Sequence, residues 1–377
     1  MFARFIGRTT QLAPGVMWLE GRIEARGERR RITRLFLEGE AADIVQLGTE
    51  LAQELAILPA PFGMVETALA LAEDRPPRPR RTGPPRLAGA TTVEHGFVGA
   101  LLHLQDVLLA EAPACRLEAG PRGVHQTRVA IRRLRSLLKL FRPAVDGPGW
   151  RIWDSQLRDL AQALGAARDW DVFLGGIGPG TLAALGGDAR VKRLLRAATR
   201  EAAATYAALA TFLGSAAFRG TVWLGLELAL IRPGATPEQP LAPFAARVLR
   251  KRWKRLKAAG VILEDLDPTA LHDMRLDAKR LRYAAEPFAD IWPGRVTRRF
   301  TRRLAALQEA LGLANDATVA RQLALRLGGR GAGEFAIGAV AGFAAGRAEG
   351  SRAQALAAWK ALAKADRFWR ISDAGDL

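Results

Sequence analysis

An eighteen-residue stretch of this chain occurs twice. The segment from Val124 to Phe141, VHQTRVAIRRLRSLLKLF, returns as Leu271 to Phe288, LHDMRLDAKRLRYAAEPF. His125 and His272 stand 147 positions apart. The same offset, held without a gap, carries Arg128 onto Arg275, Arg132 onto Lys279, Arg133 onto Arg280, Arg135 onto Arg282 and Phe141 onto Phe288. Such a duplication constrains the fold more tightly than composition does. Each half must build the same local structure, and related halves commonly pack about a pseudo-twofold axis.

The local structure is a helix. Each residue of an α-helix advances about 100°. With His125 at the origin, Arg128, Arg132, Arg135 and Lys139 fall within roughly 80° of it, while Leu134, Leu137, Leu138 and Phe141 gather on the opposite side. One face packs and the other is a cationic stripe headed by a histidine. In the second copy the stripe is His272, Arg275, Lys279 and Arg282, with Glu286 where the first copy has Lys139. Arg133 and Arg280 lie about 80° to the side of the stripes.

The repeat extends past the motif. LRDLAQALGAARDWDVF follows the first basic helix and LAALQEALGLANDATVA follows the second, aligning Gly165 with Gly312 and Asp169 with Asp316. Each half therefore reads as a basic helix, a return helix ending in Leu-Gly, and an acidic turn. From Thr91 onward the periodicity predicts helices over residues 91–110, 124–142, 150–165, 188–213, 217–231, 241–259, 269–289, 295–312, 314–327 and 333–364. Breakers stand between them at Pro143, Gly147–Gly149, Gly175–Gly180, Pro233 and Pro293-Gly294. The fold class that follows is mainly all-α, a bundle or a pair of bundles, with duplicated halves that often pack about a pseudo-twofold axis. A small α+β segment precedes them. Residues 1–73 show alternating stretches between Gly21 and Leu37, read as strands, and helical spacing from Asp43 to Leu55. Residues 74–88, DRPPRPRRTGPPRLA, read as an extended Pro/Arg-rich linker whose arginines are either solvated or auxiliary anion contacts. Residues 89–372 form the helical part, with halves at about 89–231 and 240–372.

Charge narrows the function. The formal net charge is +18 over 377 residues, with 49% hydrophobic residues. A chain that apolar builds a core, and that excess of cations favours a polyanionic partner. Cations also crowd 241–259, at Arg247, Arg250, Lys251, Arg252, Lys254, Arg255 and Lys257, and recur at Lys192, Arg193, Arg196 and Arg200, so folding could collect them into one basin. The single cysteine, Cys115, excludes an internal disulfide and has no adjacent base for nucleophilic chemistry. The histidines lack the mutual spacing of a metal site, so no metal or other cofactor is expected. No signal peptide is evident, and Thr221 to Ile231, read as the most apolar later stretch, is too short to span a bilayer. The expected location is the cytoplasm, without membrane insertion.

The paired helices resemble the two signature helices of CHAD domains, the conserved histidine α-helical domains. The LGAARDWDV and LGLANDATV turns and Phe368-Trp369-Arg370 fit the same pattern. The resemblance covers about residues 90–372. It implies two four-helix bundles related by pseudo-twofold symmetry around a basic central channel or pore, binding of inorganic polyphosphate, association with polyphosphate granules, and no catalysis. Carried over by position, the polyphosphate contacts are His125, Arg128, Arg132, Arg133, Arg135, Lys139, His272, Arg275, Lys279, Arg280 and Arg282. The run EGRIEARGERRRITRLFLEGEAADIVQLGTELAQEL is similar to the late part of a CYTH domain, a triphosphate tunnel enzyme. That family opens on an alternating Glu-x-Glu-x-Lys strand, whereas this chain opens MFARFIGRTT, and TRLFL carries no carboxylate. Metal-assisted hydrolysis needs clustered carboxylates, so the segment reads as a truncated, inactive remnant.

The stripe suits a phosphate polymer on chemical grounds. Arginine forks pair with two phosphate oxygens at once, and rigid helices hold them in a row. His125 and His272 stand near the helix starts and read equally as packing groups or as pH-dependent phosphate donors. Asp169, Asp171 and Asp316 are expected at helix ends, orienting stripe arginines. A nucleic-acid-binding helical protein is the alternative. Against it, the stripes lack interleaved aromatics for stacking and an Asn/Gln set for base readout.

Overall fold

The computed structural model describes residues 3–75, 82–231, 239–328 and 333–370, without the side chains of Pro268 and of residues 313–316. Three strands open the chain: β1 (Ala3–Ala13), β2 (Val16–Ala25) and β3 (Glu28–Leu37). They form an antiparallel meander in sequence order. The two-residue turn between β2 and β3 places Arg26 at φ 54° and Gly27 at φ 83°. Positive φ at both positions matches the twist of a tight hairpin, and glycine makes half of it inexpensive. The sequence reading placed strands only from Gly21 onward; in fact the first residues described are already a strand. Leu19, Ile23 and Ile32 form the inner face of the sheet, against Met64, Ala68 and Leu71.

Two helices follow, α1 (Ala41–Glu54) and α2 (Met64–Ala72). The N-terminal unit does not stand apart. The Nε of Arg219 donates to the carbonyl of Ala52 at 2.8 Å, tying α1 to the helical part.

The linker is a packed strap rather than a solvated spacer where it is described, from Thr82 to Ala88. Leu87 is buried in the main core. The carbonyls of Thr82 and Gly83 approach Arg133 Nη1 at 3.5 Å and His103 Nε2 at 3.1 Å. Arg86 lies 3.8 Å from Asp290. Residues 76–81 lie outside the described residues.

The helical part contains α3 (Val93–Glu111), α4 (Arg122–Phe141), α5 (Pro148–Val172), α6 (Gly178–Ala184), α7 (Ala189–Leu213), α8 (Ala216–Leu230), α9 (Leu241–Val261), α10 (Pro268–Phe288), α11 (Arg295–Ala310), α12 (Leu313–Gly328), α13 (Glu334–Ala348) and α14 (Ser351–Ala363). Helices α3, α4, α5 and α8 close one four-helix bundle, and α9, α10, α11 and α14 close the other. Both share one apolar core. At its centre sit two pairs of phenylalanines related by the repeat offset, Phe97 with Phe244 and Phe141 with Phe288. Phe141 lies 5.2 Å from Phe97, 5.2 Å from Phe244 and 5.9 Å from Phe288 between ring centroids. The starts of α3 and α9 also meet, through an antiparallel bridge between Thr92 and Pro240. The C-terminal Phe368 and Trp369 are fully buried and pack on Phe300 at 5.7 and 5.0 Å. A second, smaller core joins the end of α5, α6 and α7 to α12 and α13, through Trp170, Phe173, Val191 and Leu194 on one side and Leu323, Leu327 and Val340 on the other.

Several expected boundaries moved. Helix α5 does not end at Leu-Gly. It runs to Val172 and passes through a wide i→i+5 turn, Phe173–Ile177, into α6, so the Gly175–Gly180 run bends the chain without breaking it. The helix expected over 333–364 divides at Glu349-Gly350, where Gly350 takes φ 80°. Among the described residues one helical stretch, Val93–Ala114, is long and apolar enough to cross a bilayer, and the pair Ala189–Leu213 and Ala216–Leu230 passes only together, bent by 53°. Val93–Ala114 forms α3 and the turn after it, and more than half of its most apolar part is buried inside the bundle. Pro233 and residues 329–332 lie outside the described residues.

Candidate functional site

Helices α4 and α10 lie side by side, so the two copies of the motif face a common space. Packing dictates this. Leu134, Leu137, Phe141, Leu281, Ala285 and Phe288 are buried in the shared core, which turns both stripes outward to the same side. The guanidinium of Arg132 on α4 lies 5.4 Å from the ring of Tyr283 on α10. Its Nε is buried and has no hydrogen-bond partner. Tyr283 lies one position past the stripe residue Arg282 and could have been found by asking what fills the groove between the motifs.

The structure gathers one end of the stripes into a recess of about 270 Å³. His125, Arg128, Arg132, Arg168 and Arg275 supply its polar lining together with Asp169. Val172, Phe173 and Ile177 from the first half and Val319, Ala320 and Leu323 from the second supply apolar walls. Lys279 belongs to the same cluster. Burial, and then the charges of Arg132, Arg275, Arg128 and Lys139, push its ammonium down to about 7. Burial and the neighbouring Arg168, Arg132 and Arg128 likewise lower His125 below the usual imidazole range. Burial and then Arg132 depress Arg128, while Asp169 and Tyr283 partly offset this. A folded chain that holds this many cations in an apolar recess carries an electrostatic cost that an anion would remove.

Glycine at position 165 sets where Arg128 can lie. A Cβ on Gly165 would stand 2.9 Å from Nη1 of Arg128. The guanidinium lies against the backbone of α5, where the missing side chain leaves room.

The other end of the stripes is paired. Arg135 donates to Asp154 of α5 at 2.9 Å. Arg282 donates to Glu286 at 2.8 Å and to Gln308 of α11 at 3.2 Å. Arg133, a poorly exposed side chain, lies 3.3 Å from Glu286 across the helix pair. Arg280 is exposed and pairs with Asp277 at 2.8 Å. Its carbonyl accepts from Arg252, which burial and then Arg280 push down to about 10. Lys139 is exposed at the paired end, lowered by burial and then by Arg135. His272 faces away from the recess, into a hollow of about 550 Å³ with Ser351 and Arg352; Arg275 reaches both spaces.

Two further expectations concern charge. The cations of α9 and α7 do not line the recess: Arg247, Arg250, Lys251, Lys254, Arg255 and Lys257, like Lys192, Arg193, Arg196 and Arg200, are exposed. Arg168, absent from the sequence-derived set, does line it. Only the assumption that α5 stopped at Gly165 concealed it. Asp171 sits inside the last turn of α5, accepts from the Tyr206 hydroxyl at 2.8 Å and lies 3.9 Å from Arg168. Burial raises its carboxyl, with Tyr206 and Arg168 opposing. The side chain of Asp316 lies outside the described residues. The Cys115 thiol is buried near Thr127 and pushed up to about 11 by that burial, which disfavours the thiolate. Among the described residues no group of three His, Cys, Asp or Glu is placed to hold a metal ion.

Residues 99–325 match the CHAD domain family, and the chain belongs to that family. The crystal structure of the CHAD domain from the plant Ricinus communis superposes with a TM-score of 0.58 at 28% identity, over 75% of this chain and 97% of that one. PptA from Streptomyces chartreusis superposes with a TM-score of 0.55 at 16% identity, over 72% of this chain and all of that one, a likeness of fold. No sequence among curated proteins matches the chain.

Proposed function

We propose that this CHAD-family chain is a non-catalytic binding protein for inorganic polyphosphate, with the polymer seated in the recess between α4 and α10. One observation carries the reading: cations from both copies of the motif converge, Arg128, Arg132 and Arg275 lining one recess, and Lys279 is lowered by burial and then by the charges of those three. A polymer with about one negative charge per unit relieves that repulsion along its length. The buried, unpartnered Nε of Arg132 supplies a donor ready for a phosphate oxygen. Arg128, Arg168 and His125 flank it and Arg275 closes the opposite side. The apolar walls strengthen each charged contact by excluding water.

Binding of this kind displaces counterions, so affinity falls steeply with salt; the relation, established on nucleic acids, extends to other polyanions. In phosphate-replete cells the protein gathers on polyphosphate granules in the cytoplasm. The test is calorimetry with long-chain polyphosphate on wild type and on Arg128→Ala/Arg275→Ala. Charge-assisted bonds contribute about 1.5–3 kcal/mol each, so the folded double variant loses roughly 100-fold or more in affinity. Unchanged affinity removes the recess from the function. RNA or DNA displacing polyphosphate at equal phosphate concentration and matched salt favours the nucleic-acid reading instead.

A further inference from the structure

A second basic recess lies where the N-terminal sheet meets the helical part. It encloses about 630 Å³ between β3, the segment before α2, the end of α3 and the start of α4. Five arginines line it, Arg30, Arg31 and Arg34 from β3 with Arg116 and Arg122 from the α3–α4 connection, against one carboxylate, Glu111. Its walls include Ile32, Phe62 and Leu109. None of these residues belongs to the duplicated motif, and two distant parts of the chain must fold together to assemble them.

We propose that this junction recess is a second anion site, which takes an inorganic phosphate chain of a few units. Three features point to that ligand class. First, the charge is one-sided: Arg122 lies 3.8 Å from Glu111, leaving an excess of four cations around a concave, partly apolar space. Second, Arg34 is anchored. It donates to the carbonyl of Phe62 at 3.2 Å, which fixes its fork, and burial together with Arg30 lowers its guanidinium. Third, α4 begins here. Arg122 and Gly123 line the recess, and no side chain caps that helix end. The first-turn amides and the positive end of a twenty-residue dipole add to the arginines.

Position gives the site a purpose. The first turn of α4 lines the junction recess with Arg122 and the polyphosphate recess with His125. One helix start thus borders both spaces. The ligand is either a short phosphate chain bound separately or the tail of the polymer held by the signature helices; the contacts required are the same. The site shares its ligand class with the function proposed above but none of its residues, so each can fail alone.

Calorimetry with tripolyphosphate and with long-chain polyphosphate tests it, using wild type, Arg30→Ala/Arg116→Ala and Arg128→Ala/Arg275→Ala. Arg30 and Arg116 are exposed, so circular dichroism of the junction variant is expected to match wild type. Loss of one of two tripolyphosphate equivalents in the junction variant supports a separate short-chain site. A drop of about tenfold in long-chain affinity alone, as expected for losing charged contacts, supports the polymer tail. Retention of the junction equivalent in Arg128→Ala/Arg275→Ala shows that the two sites are distinct. If neither ligand distinguishes the folded junction variant from wild type, the site does not exist. If the junction variant is impaired while the signature-helix variant is not, the recess between α4 and α10 is wrong and the junction stands.

Discussion

The two halves carry the same signature and use it differently. In the first, α5 continues past Gly165 for a further turn and more, and delivers Arg168, Asp169 and Val172 to the recess. In the second, α11 stops at Ala310, and α12 starts at Leu313 and offers apolar Val319, Ala320 and Leu323. Three of the four signature arginines and histidines lining the recess come from the first half, His125, Arg128 and Arg132, against Arg275 alone from the second. His125 and His272 occupy equivalent positions in the motif and face different cavities. Duplication made the fold symmetric. Divergence at one helix end then made the recess unequal: the first half supplies most of its cations, while both halves supply its apolar walls.

The sharpest test of this asymmetry is to remove the signature arginines that each half places in the recess, two from the first and one from the second. Arg128→Ala/Arg132→Ala removes two recess donors from the first half, and polyphosphate affinity is expected to fall roughly 100-fold, at about 1.5–3 kcal/mol per charged contact. Arg275→Ala is expected to cost roughly tenfold on the same scale. Equal losses in calorimetry would mean that the halves contribute alike.

The joint between the halves comes next. Glu286 is poorly exposed and accepts from Arg133 across the helix pair as well as from Arg282. Glu286→Gln leaves those guanidinium groups without their counter-charge. A partly buried broken pair costs about 1–3 kcal/mol, below the range for full burial. Thermal unfolding is expected to shift down by several degrees, while the recess itself stays intact. A variant as stable as wild type would show that Phe141, Phe288 and their neighbours hold the halves together unaided.

Equivalent glycines give a subtler contrast. Gly165→Ala forces Arg128 to move, because the added Cβ would stand 2.9 Å from its Nη1. Polyphosphate affinity is expected to fall several-fold, with contacts misplaced rather than lost. A Cβ on Gly312 would stand nearest the carbonyls of Glu309 and Gln308 and away from any stripe cation, so Gly312→Ala is expected to leave affinity unchanged. The reverse ranking in a binding titration would undo the placement of Arg128.

The smallest expected effect is protonic. Lys279, near 7 in the ligand-free fold, is partly neutral at pH 7.5. A bound polyanion raises it, so binding takes up protons and weakens as pH rises through 7 and above. Stability of the ligand-free chain follows the opposite direction. The unfolded lysine holds its proton up to about pH 10.4, so the unfolded state binds more protons between 7 and 10 and folding gains stability with rising pH. Lys279→Met is expected to abolish most of the uptake, read as equal binding heats in buffers of different ionisation enthalpy. Uptake that persists unchanged in that variant would assign the proton to another group, with His125 first among them.

Much of the fold was legible because repetition and periodicity are local properties of the chain. The heptad-like leucines of 124–142 specify a helix and its buried face without reference to anything distant. The offset between the motifs likewise implied a twofold arrangement, and Phe97/Phe244 extends the same offset into the centre of the core. Less visible was β1. Its residues are almost all exposed, so burial imposes no alternation on its sequence. The glycine run at 175–180 misled for a related reason: glycine permits a break, and tertiary packing of Phe173 and Ile177 decided that the helix should bend and continue.

The sequence by itself determined the helical class, the duplication, the polycationic character and the set of cations from which a site had to be drawn. Each follows from residue type and spacing. Only the tertiary structure decided which cations act together. Arg135, Arg282, Arg133 and Arg280 find carboxylates at 2.8–3.3 Å, while Arg128, Arg132 and Arg275 line one recess and their charges bear on Lys279. Charges on a helix face are fixed by sequence, but what faces them comes from another helix, and electrostatic energy depends on that distance.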